Sequence, residues 1–205
     1  MHHVRERHLK TCTSIQERFL TQLSLSSVDY NHLVKFEQAI ESNYPINVYR
    51  VSDNYQGEHS YGRVLIEDKK LFDDLGKYGV VPNKTFIKTF PYMVPKQYYL
   101  DVIRGIFDAD GCLSYHLTKH GAEAWEFNIV GTKELLESIA DILQIPCKLT
   151  KRYPERDNNN YTLRGSGVEN TYKIMEKLYG EAPVYLDRKY ERYLHLKTYL
   201  NGRAA

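Results

Sequence analysis

The run Phe107-Asp108-Ala109-Asp110-Gly111 sets two carboxylates beside a glycine, directly after a stretch whose apolar residues are spaced for chemistry to be held in place. An aspartate at such a terminus can ligate a hard divalent cation. Phosphodiester hydrolysis needs a metal-activated nucleophile and neutralised charge at phosphorus. One aspartate with a lysine nearby supplies half of that requirement. Asp110, the outermost acidic residue, is the candidate metal ligand. Asp108, further inside, is expected to be structural and to bond backbone amides near helix ends.

The elements that must hold Asp110 follow from periodicity. Leu100, Ile103, Ile106 and Phe107 recur at helical spacing and predict a helix over 98–111. Gly105 lies within it, where glycine costs about 1 kcal/mol against alanine, so a close neighbour on that face is expected. Gly111 is read as a left-handed helix stop. Strands are predicted over 112–118 and 124–130, the second alternating Trp125, Phe127 and Ile129 with Glu126 and Asn128. Thr132 caps a helix bearing Leu135, Leu136, Ile139, Ile142 and Leu143. A hairpin over 147–153 and 161–165 and helices over 168–179 and 187–199 complete an α-β-β-α-β-β-α-α order.

The first half echoes that order. It gives a strand over 19–26, a helix capped by Asp29 with Leu33, Phe36 and Ile40, a hairpin over 46–51 and 60–66, and a helix over 69–78 closed by Gly79. Asp29 pairs with Thr132, Gly79 with Gly180, and Lys84 with Lys189 at a nearly constant offset, which implies an internal duplication. The counterpart of Asp110 would fall near Arg7, where no helix ending in Asp-Gly is visible. The expected organisation is therefore a first repeat over 1–94 lacking its leading helix and a second over 95–205. His2, His3 and His8 are read as part of a disordered or variable start.

Composition narrows the class. A length of 205 residues allows one large domain or two small ones, and no segment resembles a membrane span or a secretory signal, so an intracellular protein (cytoplasm, nucleoid or organelle matrix) is expected. Cys12, Cys112 and Cys147 are too dispersed for a disulfide framework or a zinc knuckle and are read as reduced thiols. The net charge of +2 is low for a non-specific nucleic-acid binder, but Lys148, Lys151, Arg152, Arg156 and Arg164 concentrate positive charge over 148–164.

The run Gly105-Ile106-Phe107-Asp108-Ala109-Asp110-Gly111, preceded by Ile103-Arg104, resembles the L-A-G-L-I-D-A-D-G motif of the LAGLIDADG homing endonucleases. Arg104 departs from the small residue usual there. Val81-Pro82-Asn83-Lys84-Thr85 and Leu186-Asp187-Arg188-Lys189-Tyr190 look like the stretches that carry the family's active-site lysine, and 29–40 resembles its first core helix. The resemblance runs from about Phe19 onward. It implies an α+β fold of two pseudo-symmetric αββαββα units with antiparallel, saddle-shaped sheets. It implies two motif helices packed side by side, with Gly105 and Ala109 at the seam. It also implies Mg²⁺, with Mn²⁺ as a substitute, bound by Asp110, and charge stabilisation by Lys84 and Lys189.

What the resemblance implies for partners is double-stranded DNA, cut at a long specific site by an enzyme of intron-encoded or phage type carried on a mobile element. Its sheets would lie in the major groove, so the residues facing away from the core are candidate readers: Gln22, Ser24, Arg50, Arg63, Glu126, Asn128, Lys148, Thr150, Arg152, Thr162 and Arg164. Arginine and lysine suit guanine edges, asparagine and glutamine adenine, and glutamate the cytosine amino group. A homodimer through the motif helix would supply a second carboxylate. The alternative is a truncated or degenerate relative that binds DNA, or intron RNA as a maturase, without cutting. A purely structural αβ protein leaves the Asp-Ala-Asp-Gly helix unexplained.

Overall fold

The structure, a computed structural model, describes the backbone of residues 2–9, 12–53, 57–81 and 87–204, and side chains within 17–52, 57–81 and 87–203. The chain divides into two compact units, Met1–Pro82 and Asn83–Ala205.

In the first unit, β1 (His2–Leu9), β2 (Cys12–Ser26), α1 (Tyr30–Ala39), β3 (Asn47–Asp53), β4 (Gly57–Glu67) and α2 (Lys69–Lys77) follow in order. The strands form one antiparallel sheet in the spatial order β1-β2-β4-β3. The start of the chain is thus not the irregular segment expected from its polar residues. His2 to Leu9 pairs along β2, with His2 opposite Phe19 and Leu9 opposite Cys12. The core forms because β4 alternates. Val64 and Ile66 turn inward onto Leu33, with Leu23, Leu25, Phe36, Ile46 and Leu71 around them. Gly62 belongs to the same inward row, and a Cβ there would lie 2.6 Å from Leu33 Cδ1. Asp68 starts α2 by accepting the Leu71 amide at 2.6 Å, a cap worth about 1 kcal/mol.

The second unit runs α3 (Tyr99–Asp110), β5 (Gly111–Leu117), β6 (Glu123–Gly131), α4 (Lys133–Leu143), β7 (Lys148–Lys151), β8 (Tyr161–Ser166), α5 (Val168–Tyr179) and α6 (Asp187–Ala204). Its sheet is antiparallel in the order β5-β6-β8-β7. The β-β-α-β-β-α succession and the spatial strand order of the first unit are therefore repeated in the second, as a duplication predicts. Gly165 repeats Gly62 as well. Its inward position leaves 2.5 Å between a built Cβ and Ile174 Cδ1.

Phe107, Trp125, Phe127, Ile139, Leu163 and Ile174 are all buried in the second core. Phe107 and Phe127 stack with ring centroids 5.1 Å apart. Burying each such side chain stabilises the unit by about 1.5–3 kcal/mol, so this face of the sheet is firmly specified. Phe90 is buried in the same core, edge-on to Tyr99 at 5.0 Å. That packing places the segment before α3 in the second unit, which begins at Asn83. α6 is anchored on β5 and β6. Arg192 donates to the Leu113 carbonyl at 2.6 Å, and the Glu123 amide donates to the Tyr199 hydroxyl at 2.9 Å.

Candidate functional site

Helix α3 is built to present its last residue. Ile103 and Phe107 point into the core while Gly105 and Ala109 are exposed, and a Cβ added at Gly105 meets nothing within 4 Å. Arg104 is buried. Its Nε donates to the Val184 carbonyl at 2.9 Å, Nη1 to the Leu178 carbonyl at 3.2 Å, and Nη2 to Asp101 Oδ1 at 2.6 Å. An arginine stands where the motif has a small residue because it serves the α5–α6 connection, away from the Gly105 face. Asp108 accepts the Tyr179 hydroxyl and the Leu186 amide, the latter at 3.2 Å, so it is structural as expected. Burial and the neighbouring Asp108 carboxylate push the Tyr179 hydroxyl pKa upward, which keeps it a proton donor.

Gly111 is not a left-handed stop. Its backbone is extended, with φ −96° and ψ 168°. Glycine is needed for space instead, because a Cβ would strike the Phe107 ring and lie 2.7 Å from the Phe107 carbonyl oxygen.

Lys189, expected in the active site, lies beneath the end of α3. Its ammonium donates to the carbonyls of Phe107, Asp108 and Gly111, the last two at 2.9 and 2.7 Å. All three protons are thereby committed to backbone carbonyls at the end of α3 and the start of β5, of which that of Phe107 also accepts the Gly111 amide. The residue is only 4% exposed, and burial pushes its pKa down to about 8. This geometry makes Lys189 the clamp of α3. Lys84 lies outside the described residues.

The lysine in contact with the motif aspartate is Lys88, which the sequence reading did not single out. Its Nζ lies 2.9 Å from Asp110 Oδ2. The Lys88 carbonyl accepts the Thr132 hydroxyl, whose oxygen also caps α4 by accepting the Leu135 amide at 3.3 Å. One threonine thus starts α4 and tethers Lys88. Lys88, Asp110, Val130, Gly131, Arg152, Asn159 and Asn160 enclose a cleft of about 340 Å³.

Among the described residues no three His, Cys, Asp or Glu side chains gather as a metal cluster. Asp110 offers one anionic oxygen, and Asn160 Oδ1 is a buried acceptor without a hydrogen-bond partner on the wall of the same cleft. Hard oxygen donors, without thiolate or imidazole, suit Mg²⁺. That ion commonly takes one or two carboxylates and completes its shell with water and phosphate oxygens. The residues present fit one such half-site.

The face of the β5–β8 sheet opposite its core is polar. Asn128 and Arg164 are directly opposed, with Lys148 beyond Arg164 and Cys112 beyond Asn128. Val130, Thr162 and Thr150 form the next row. Asn128, Lys148, Thr150, Arg152, Thr162 and Arg164 line one groove of about 490 Å³, and Glu126 adjoins it through an ion pair with Arg164 at 3.2 Å. All seven second-unit residues expected on this face are on it. Ser114 and His116 also share it, opposite Glu126 and Ala124. Plain alternation along β5 carried that signal. Arg152 lines both the groove and the Asp110 cleft.

In the first unit, Gln22, Ser24 and Arg63 share the outward face. Gln22 Nε2 donates to Ser24 Oγ at 2.9 Å, and the Arg63 guanidinium lies 4.2 Å over the Tyr49 ring, which stacks on Tyr61 at 5.3 Å. The two tyrosines were not anticipated. Arg50 is a correction. It pairs with Ser60, which shares the face of Gly62 and Val64, so it lies on the side of the sheet opposite Arg63. The β3 register, set by pairing with β4, decides its side.

The two units have the α+β architecture of the LAGLIDADG type. Among solved structures, the I-LtrWI LAGLIDADG homing endonuclease bound to target DNA is similar at a TM-score of 0.60 and 12% identity, covering 96% of this chain and 85% of that one. The I-SmaMI LAGLIDADG homing endonuclease bound to cleaved DNA gives 0.59 at 13% identity, covering 99% and 85%. I-GzeII in complex with its DNA target gives 0.57 at 12% identity, covering 98% and 84%. No protein-family model and no curated protein matches the sequence.

Proposed function

We propose that the protein is a site-specific endonuclease that binds double-stranded DNA through its polar sheet faces and hydrolyses phosphodiester bonds at Asp110. The observation that carries this reading is the end of α3. Lys189, Asp108 and Arg104 are spent on holding the helix, while Asp110 alone faces a cleft that Arg152 joins to the basic groove. The structurally similar proteins above bind DNA targets, which agrees with it.

Asp110 would hold Mg²⁺, with phosphate oxygens and the Asn160 side chain able to complete the shell. When bound, the ion supplies water activation and stabilisation of the leaving oxygen. Lys88, released from Asp110, and Arg152 offset the charge on the phosphate. Lys189 holds the last turn of α3, so that Asp110 is presented in one position. Cutting both strands calls for a second carboxylate, and pairing of α3 through Gly105 and Ala109 with a second copy would bring one.

A second reading, a protein that binds DNA or intron RNA without cutting, is favoured by Asp110 being the one described motif carboxylate on the cleft and by its ion pair with Lys88. A plasmid pool with randomised inserts separates the two. The nuclease reading expects a subset of plasmids to be linearised at defined positions in Mg²⁺ and none in chelator. Retention of the same inserts without strand breaks in Mg²⁺ or Mn²⁺ would establish the binding protein instead.

A further inference from the structure

The strand residues on the outward face of the β5–β8 sheet include a single carboxylate, Glu126. On a surface meant for phosphates a carboxylate is repelled, so it needs a local reason to be there. Its Oε1 forms an ion pair with Arg164, 3.2 Å from Nε, and accepts Asn128 Nδ2 at 3.4 Å. Arg164 lies directly opposite Asn128 on β6 and Lys148 on β7, near the centre of the groove. Its side chain is 55% exposed, and Nε is the nitrogen that faces Glu126. The two terminal nitrogens then form the open end of the fork. That end matches guanine N7 and O6 in the major groove.

We infer that Arg164 is a specificity-determining residue that reads a guanine, and that Glu126 is its positioning residue and reads no base. The inference rests on the DNA reading above. It reassigns Glu126, which as a free carboxylate would select cytosine; here its charge is turned toward Arg164 and Asn128 within the sheet face. A guanidinium fixed at Nε has less side-chain freedom to lose on binding, so the held fork discriminates better than a free one. The cost is one negative charge facing the phosphates.

Those opposing effects give the test. Wild type, Arg164→Ala and Glu126→Gln are each used to select duplexes from a randomised pool, and each is titrated against bulk random duplex. Wild type should enrich guanine at one position, and Arg164→Ala should lose that preference by about tenfold to a hundredfold. Glu126→Gln, which keeps shape and removes charge, should bind random duplex more tightly while its guanine preference falls several-fold. A purely structural role would not move affinity and discrimination in opposite directions. Full guanine preference in Glu126→Gln, or loss of a cytosine preference elsewhere in the site, would overturn the inference. Failure of wild type to enrich any sequence would remove the DNA reading itself and this inference with it.

Discussion

Lys88 and Lys189 both approach the end of α3, and their surroundings give them opposite work. Lys189 is buried on three carbonyls, whereas Lys88 meets Asp110 where both side chains are part-exposed. Replacing Lys189 by methionine should therefore destabilise the second unit by at least about 2 kcal/mol, because three carbonyls at the end of α3 lose a buried charged donor. Denaturant titration reads this directly, and an unchanged midpoint would refute the clamp. Lys88→Ala should shift stability by no more than about 0.5 kcal/mol, since a part-exposed ion pair contributes little, yet it should slow cleavage at least tenfold. Single-turnover rates at saturating Mg²⁺ check this, and a wild-type rate would remove Lys88 from the chemistry. The contrast between Asp108 and Asp110 was legible in the sequence, because position along a helix end sorts inward from outward. The division between the lysines was not. Lys189 is captured by carbonyls far from it in sequence, and Lys88 lies in a non-periodic stretch fixed by the Thr132 hydroxyl.

The helices were the most legible elements, since α3, α4 and α5 carry unbroken apolar spacing and recognisable ends. β1 was not, because its polar residues form a strand only by pairing with β2, a contact local patterning does not announce. Arg50 fell on the unexpected side for a related reason, the register of β3 against β4. Gly105 in α3 and Gly111 just after it illustrate how packing decides what a residue type means. Gly111 and Gly105 are six positions apart in one motif, yet a Cβ at Gly111 strikes Phe107 while one at Gly105 meets open space. Gly105→Ala should consequently stabilise the isolated unit by about 0.5–1 kcal/mol, and Gly111→Ala should destabilise it. Melting measured on dilute protein checks both signs, and a loss of stability in Gly105→Ala would mean that its face is already packed.

At the scale of the whole molecule, a net charge of +2 conceals a segregated surface, with Lys148, Arg152 and Arg164 gathered on one groove. The duplication was legible because paired turn and cap markers recur, and the shared strand order bears it out. The open Gly105–Ala109 face of α3 should bring two copies together as a symmetric dimer, detectable by light scattering at micromolar concentration and abolished in Gly105→Leu. A strictly monomeric wild type would count against that assembly. The central claim, that this fold hydrolyses DNA at Asp110, is tested most directly by one comparison. Duplexes selected by the wild-type protein are incubated with wild type and with Asp110→Asn in Mg²⁺, and bound and cleaved fractions are measured together. The account predicts that wild type cuts at a defined position, whereas Asp110→Asn retains the same duplexes and leaves them intact. Cleavage by Asp110→Asn at the wild-type rate would contradict it.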